Sequence, residues 1–493
     1  MLARGGNAVD AAVATAITLA VVEPVSNGIG SDLFAIVWDG RELAGLNASG
    51  RAPAAATIAR YAREAAMPQR GWEAVTIPGA VSGWVALSRR YGRLPFADLF
   101  EPAIRYARDG WLVSPVIAAQ WRRAAEILPH DLGYAEHFLP KGRSPRAGET
   151  FACTPMARSL EAIATSGGEA FYRGELARTM AGDARRHGAL HTREDFARHS
   201  CDWVAPLGFD YRGTTVHEIP PNGQGIAALI ALGILAALGP SDDAPDSVAA
   251  QHRAIEAMKL AFADTYRYVA DRAHMKVPPE AMLEPGYLAT RAKLIDPARA
   301  RDFGPGAPPA GGTVYLTTGD AQGMMVSLIQ SNYMGFGSGV VVPGTGISLQ
   351  NRGAGFSLDP AHANALEGGK RPFHTIIPGF LTRDGAPLAA FGVMGGPIQP
   401  QGHVQTLVRM LDHGMNAQAA LDAPRWRWNR NGTLDLEPTI EPGIRAGLAA
   451  LGHRITSSSD SYFDFGAGQV VARIDGGYLA ASDPRRDGQA AGF

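Results

Sequence analysis

Apolar positions recur at helical spacing along four long stretches of the chain. Asn7–Val22, Pro78–Tyr91, Gln224–Leu238 and Val248–Val269 each place such residues three and four apart. In the last of them Ile255, Met258, Leu260, Phe262 and Ala263 supply the apolar faces. Ala8–Val22 is short for a membrane span, rich in alanine and interrupted by Asp10, so it predicts a buried helix. The pattern changes after Gly312. Thr313–Thr318 and Met324–Gln330 flank the turn Gly319-Asp320-Ala321-Gln322-Gly323 and predict a hairpin. Thr375–Thr382, Arg383-Asp384-Gly385 and Leu388–Val393 predict a second one. Between the two textures runs Phe303-Gly304-Pro305-Gly306-Ala307-Pro308-Pro309-Ala310-Gly311-Gly312, whose glycines and prolines predict an exposed, flexible linker. The expected chain therefore has a helix-rich first part, a seam, and a strand-led second part.

Composition narrows the classes of function. The 493 residues allow several ordinary domains or one large layered unit. Lys and Arg number 46 against 47 Asp and Glu, a net charge of −1. That balance offers no electrostatic footprint for nucleic acid or an anionic membrane, and it favours a small-molecule substrate. Two cysteines, Cys153 and Cys201, make neither a disulfide framework nor a CxxC pair. No basic segment followed by an apolar run and a cleavage site opens the chain, so a cytoplasmic location is expected. His187 and His191 stand four apart and could face a metal, but Gly188 interrupts them and Thr192-Arg193-Glu194-Asp195 reads as the next helix start. No metal and no cofactor is expected. Gly335–Gly339 lacks both the third glycine of a dinucleotide fingerprint and the lysine of a P-loop. Trp426 and Trp428 read as packing residues.

The candidate chemistry sits where the seam ends. A threonine hydroxyl is a weak nucleophile that needs a base to take its proton. Were the bond before Thr313 cut, the freed α-amino group, which ordinarily titrates near about pH 8, would supply that base on the same residue. The hydroxyl could make the cut itself by attacking the Gly312 carbonyl in an N→O acyl shift, and glycine tolerates the backbone strain this needs. The plain alternative is a β-branched residue opening a strand.

Several ordered blocks decide between these readings. Gly5-Gly6-Asn7-Ala8-Val9-Asp10-Ala11-Ala12-Val13-Ala14, Glu23-Pro24-Val25-Ser26-Asn27-Gly28-Ile29-Gly30, Pro78-Gly79-Ala80-Val81-Ser82-Gly83-Trp84, Gly312-Thr313-Val314-Tyr315-Leu316, Phe336-Gly337-Ser338-Gly339 and Met394-Gly395-Gly396 resemble the γ-glutamyltransferase family over essentially the whole chain. The resemblance implies an α+β fold, the four-layer αββα sandwich of N-terminal-nucleophile hydrolases. It also implies autocleavage between Gly312 and Thr313 into a large subunit, 1–312, and a small subunit, 313–493. These would pair as a heterodimer that could dimerise again. By the same likeness Thr313 is the nucleophile, Ser331 matches a family threonine that hydrogen-bonds it, and Gly395 and Gly396 match the diglycine of the oxyanion hole. Four residues precede Gly5, fewer than the strand and loop the family usually carries there.

The γ-glutamyl-recognition positions depart from the family pattern. The arginine that grips a substrate α-carboxylate falls on Ser49, with Arg51 two positions on. The glutamine and aspartate that hold the α-amino group fall on Arg352 and Gly355. A paired serine motif becomes His374-Thr375, and an asparagine becomes Tyr333. A carboxylate has gone and a guanidinium has appeared, which favours an anion over a zwitterion. Gln330–Gly337 and Gly395–His403 resemble the branch that contains oxamate amidohydrolase. The expectation is hydrolysis of a small anionic amide such as oxamate, with Arg51, Tyr333, Arg352, His374 and Thr375 as substrate contacts. A γ-glutamyl hydrolase or transferase is one alternative, and an uncleaved, inactive relative with a binding role is another.

Overall fold

The computed structural model describes residues 1–303, 312–457 and 464–492, so most of the Gly/Pro seam lies outside the described residues. The four expected helices are α1 (Ala8–Val22), α2 (Ala80–Tyr91), α3 (Gly225–Ala237) and α4 (Val248–Tyr268), and α5 (Ile398–Leu411) follows in the second part. Asn7 starts α1: its side chain accepts from the Asp10 amide while the Asp10 carboxylate accepts from the Asn7 amide, both at 3.0 Å. This reciprocal pair satisfies two of the donors that every helix start leaves open. Asp10 is the polar interruption that ruled out a membrane span, and it is there to cap. Among the described residues no helix is long and apolar enough to cross a membrane.

The strands that build the two main sheets are, in chain order, β1 (Asp32–Trp38), β2 (Leu43–Ala48), β3 (Asp202–Val204), β4 (Leu207–Tyr211), β5 (Thr214–Glu218), β6 (Gly312–Gly319), β7 (Met325–Tyr333), β8 (Gly379–Arg383), β9 (Ala386–Met394), β10 (Ala467–Ile474) and β11 (Gly477–Ser482). Both predicted hairpins form, as β6–β7 and β8–β9. Besides its helices, the first part supplies five strands of these two sheets. All seven positions of β1 are buried. A strand covered on both faces shows a continuous apolar run with no alternation, which period alone cannot separate from a helix.

Two compact units emerge, Met1–Val204 with Gly311–His374 and Ala205–Ala310 with Thr375–Phe493. Neither follows the division at Gly312, since each takes chain from both sides of it. In the first, five strands run in the order β3-β2-β1-β7-β6. Helix α1 packs on β6 and β7, and α2 on β1 and β2. In the second, six strands run β11-β10-β9-β8-β5-β4, with α3 against β4 and β5 and α5 against β9. Each unit thus contributes a sheet and a helical layer, the pieces a four-layer fold requires.

One buried contact fixes β7 beneath the helices. The Trp84 indole on α2 donates to Oε1 of Gln330 at 2.8 Å, and Gln330 Nε2 donates to Asn27 at 2.7 Å. Gln330 therefore faces the helical layer, and by strand alternation its neighbour Ser331 faces the opposite way. Trp84→Phe removes the donor and leaves a buried amide oxygen unsatisfied, which costs about 1–3 kcal/mol. Urea denaturation of Trp84→Phe should show stability lowered by about that amount.

Candidate active site

Strand register assembles the first part of the site. Asp32 on β1 pairs directly with Ser331 on β7. On the other side, the β6–β7 register shifts between Gly312 and Val314. Thr313 sits in that irregularity, outside the regular pairing, as expected of a bulge that re-aims one side chain. Its Oγ1 lies 3.0 Å from Ser331 Oγ, and both residues are fully buried.

Ser331 Oγ accepts from the Tyr333 amide at 2.8 Å and from Nη2 of Arg352 at 3.4 Å, and in its bond to Thr313 Oγ1 either hydroxyl can be the donor.

Arg352 and Tyr333 form a stacked pair. The guanidinium carbon lies 4.3 Å from the Tyr333 ring centre, within cation–π range. Tyr333 has φ 77°, a left-handed conformation uncommon for an aromatic residue. Arg352 is fully buried, and that burial lowers its pKa to about 10, with Asp32 and Tyr333 acting the other way. It remains cationic at neutral pH.

Asp32 is the residue that sequence reasoning missed. Its Oδ1 accepts from the amides of Gly79 at 3.0 Å and Gly50 at 3.2 Å, and its Oδ2 meets Nε2 of His374 at 3.1 Å. Burial raises its pKa to about 7, opposed by the charge of Arg352, the two amides and the charge of Arg371. His374, its ring tilted against Phe34 at 4.8 Å, is held neutral: burial, then Arg352 and Arg371, push its pKa well below the usual value. The available signal was an acidic residue opening the otherwise apolar run Leu33–Trp38.

Arg51 is less buried than Arg352. About 40% of its side chain is exposed, and its guanidinium reaches the Gly369 carbonyl at 3.2 Å and the Asp202 carboxylate at 3.8 Å. There the charge keeps its water and finds a carboxylate. The buried arginine that shares Asp202 is Arg371, whose Nε also donates to the Ser49 carbonyl at 3.0 Å.

In the second unit, Gly395 and Gly396 join the end of β9 to the start of α5. Both have positive φ, 128° and 69°. A Cβ on Gly395 would stand 2.7 Å from Ile398 Cγ2 and 3.0 Å from Gly466 Cα, so no side chain fits. The Gly396 carbonyl accepts from Gln224 Nε2 at 3.0 Å and from the Gln399 amide at 3.1 Å, which fixes the peptide's orientation. Amides at the start of a 14-residue helix lie at the positive end of its dipole. Gln224 also holds the Thr375 carbonyl at 2.7 Å, and Thr375 is buried. Sequence reasoning does not single out Gln224, although a lone polar residue before a wholly apolar helix was its signal. His403 on α5 accepts the Val393 amide at 3.1 Å and binds Glu218 at 2.7 Å, bracing β9 from behind.

His187 and His191 bond to different carbonyls. His187 Nδ1 contacts the Asp183 carbonyl, and His191 Nε2 the Val75 carbonyl. Among the described residues, His252, Glu256 and His453 place metal-capable atoms within 4.8 Å of one another. Those atoms already have protein partners: His252 and His453 bond each other at 2.8 Å, and Glu256 binds Lys259 at 2.6 Å and the Arg301 amide at 3.0 Å.

Comparison with known proteins places this arrangement. The gamma-glutamyltranspeptidase family model matches residues 1–493. The chain belongs to the γ-glutamyltranspeptidase family. It is 38% identical to the glutathione hydrolase-like YwrD proenzyme of Bacillus subtilis, with 100% of this chain and 95% of that one covered. It is also 38% identical, with the same coverage, to the oxamate amidohydrolase proenzyme of Klebsiella pneumoniae. Among solved structures, a cephalosporin acylase from Bacillus halodurans superposes with TM-score 0.95 at 48% identity, covering 100% of this chain and 92% of that one. The family member described here is an enzyme, a hydrolase with the α+β fold of N-terminal-nucleophile hydrolases.

The raised pKa of Asp32 has a stability consequence. The folded state binds this proton more tightly than the unfolded chain, whose ordinary value is 3.8. The contribution is complete below about pH 4 and is lost as pH rises through about 7. Asp32→Asn should therefore lack that component. Urea midpoints at pH 5 and pH 8 should show the wild type losing more stability than Asp32→Asn on going to the higher pH.

Proposed function

We propose that the enzyme matures by cleavage before Thr313 and then hydrolyses a small amide carrying a carboxylate, of which oxamate is the type. The observation that carries this reading is the Thr313–Ser331 hydroxyl pair with the buried Arg352 guanidinium on the same oxygen. In the precursor, Thr313 Oγ1 attacks the Gly312 carbonyl, nitrogen leaves, and water hydrolyses the resulting ester. In the mature form the α-amino group of Thr313 accepts the hydroxyl proton as Oγ1 attacks the substrate amide. The same amine then protonates the leaving nitrogen, and water resolves the acyl-enzyme. By the family likeness, the Gly395 and Gly396 amides stabilise the tetrahedral oxyanion, an effect worth a few kcal/mol per donor.

Arg352 is the proposed partner of the substrate carboxylate, beside Tyr333 and His374. Asp32 makes that role conditional. Ionised, it competes for the guanidinium; protonated, it leaves Arg352 to an incoming anion. The KM for oxamate should accordingly rise as pH climbs above about 7, and this rise should vanish in Asp32→Asn. A pH-independent KM in the wild type would argue against Arg352 as the anion site.

A second reading has an observation of its own, the 48% identity to a cephalosporin acylase. It would have the same nucleophile act on a larger acyl group. Intact-mass spectra of the wild type and Thr313→Ala test the maturation: the former should give fragments 1–312 and 313–493, the latter one uncut chain. Ammonia release from oxamate, set beside turnover of a cephalosporin amide and of γ-glutamyl-p-nitroanilide, then tests the substrate. Turnover of either of the last two without oxamate would reject the small anionic amide.

A further inference from the structure

The two glycines proposed to bind the oxyanion have little of their own to hold them in place. Gly395 and Gly396 have φ 128° and 69°, and glycine backbones reach many other conformations as readily. Donors to a transition state act best when they are fixed beforehand, because an amide that must turn during the step loses part of what it offers. The next residue, Pro397, narrows the means of fixing them. The peptide between Gly396 and Pro397 has no N–H, so the Gly396 carbonyl is the one polar atom by which that plane can be held.

Gln224 takes hold of that atom. It is fully buried, and its Nε2 donates to the Gly396 carbonyl at 3.0 Å and to the Thr375 carbonyl at 2.7 Å. A primary amide nitrogen has two hydrogens, and here each finds one carbonyl. Turning the amide over would set its oxygen against two carbonyl oxygens, so the partners fix its orientation. The Gln399 amide gives Gly396 a second bond at 3.1 Å, but Gln399 belongs to α5, the helix that the turn opens. That bond moves with the turn, whereas Gln224 grips it from another segment.

The other end of the β5–α3 connection works on the same turn. Glu218, the last residue of β5, binds His403 Nδ1 at 2.7 Å, and His403 Nε2 accepts the Val393 amide at 3.1 Å. Gly225, directly after Gln224, lets the start of α3 lie close to that strand end, since a Cβ there would stand 2.8 Å from Cβ of Glu218. One connection thus holds β9 before the diglycine and the carbonyl after it.

We propose that Gln224 is a positioning residue for the reaction: through the Gly396 carbonyl it holds the turn in the conformation that presents the Gly395 and Gly396 amides to the oxyanion. This rests on the oxyanion role proposed above for those amides. With the chain cut before Thr313, Gln224 lies on fragment 1–312 and the turn on fragment 313–493. The large fragment then sets the geometry of a hole that the small one carries.

Gln224→Met keeps the length of the side chain and removes both donors. For whichever of oxamate, the cephalosporin amide or γ-glutamyl-p-nitroanilide the wild type turns over, kcat should fall about tenfold to a hundredfold. KM should stay within about twofold, the pattern of an interaction that matters mainly in the transition state. Gln224→Glu, of the same shape and with at most one donor, is read in the same way if Gln224→Met does not fold. Ile230→Val, a buried change on α3, should lower the urea midpoint and leave kcat within about twofold. A second readout needs no substrate. Met334-Gly335 and Met394-Gly395 are the two Met-Gly pairs of the sequence, so isotope labelling of methionine carbonyls and glycine amides leaves two amide resonances to follow. In the Gln224 variant the Gly395 line should split or broaden as the turn samples more than one conformation, while the Gly335 line stays as in the wild type. A single sharp Gly395 line would overturn the proposal, as would an unchanged kcat, a loss carried by KM alone, or an equal loss of kcat in Ile230→Val. A wild type that turns over none of the three amides would reject the function proposed above, and the Gly395 line would still decide the role of Gln224.

Discussion

The register of three neighbouring strands is the constraint on which the rest depends. Asp32 stands opposite Ser331 on β1 and β7, and the irregularity on β6 aims Thr313 at the same hydroxyl. A slip of one residue in either pairing would turn Ser331 into the helical layer and Gln330 into the site, because strand side chains alternate with period two. The amide network from Trp84 through Gln330 to Asn27 makes that slip costly from the helical side. The Thr313–Ser331 hydroxyl pair on one face of the sheet is thus held in place by a polar lock on the other.

Buried charge is handled by neighbours of opposite tendency. Arg352 and Asp32 each face a desolvation cost alone, and each offsets part of the other's. His374 stays neutral and acts as a polar spacer between the carboxylate and the Phe34 ring. The arrangement keeps one fixed cation next to the hydroxyl pair and one carboxyl able to titrate near neutrality. An uncompensated arginine there would destabilise the fold.

Much of this was legible in the sequence, and the exceptions have physical reasons. The four long helices and both hairpins follow from periodicity and turn residues, and the blocks around Thr313, Ser331 and Gly395-Gly396 pointed to the family. Strand β1 escaped notice because it is covered on both faces and so carries no alternation. Asp32 escaped because its role depends on pairing with a strand some three hundred residues away, which no local pattern encodes. Arg51 and Arg352 looked alike in the sequence. Only packing separates a half-exposed arginine paired to a surface carboxylate from a buried one stacked on Tyr333. Gln224 acts through two carbonyls supplied by distant segments, and it too was invisible locally.

Each unit draws strands from both sides of Gly312, and this bears on how such an enzyme can be made. In the first sheet the two sides meet only along β1 and β7, and in the second only along β5 and β8. Either half produced alone would expose two such strand edges, the surfaces that drive chains to aggregate. A single polypeptide holds its halves at high effective concentration until both edges are matched. The peptide bond before Thr313 therefore works as a tether for assembly, and once both sheets are zipped its information is spent. A gene split at that point would encode the same atoms and lose the route to putting them together.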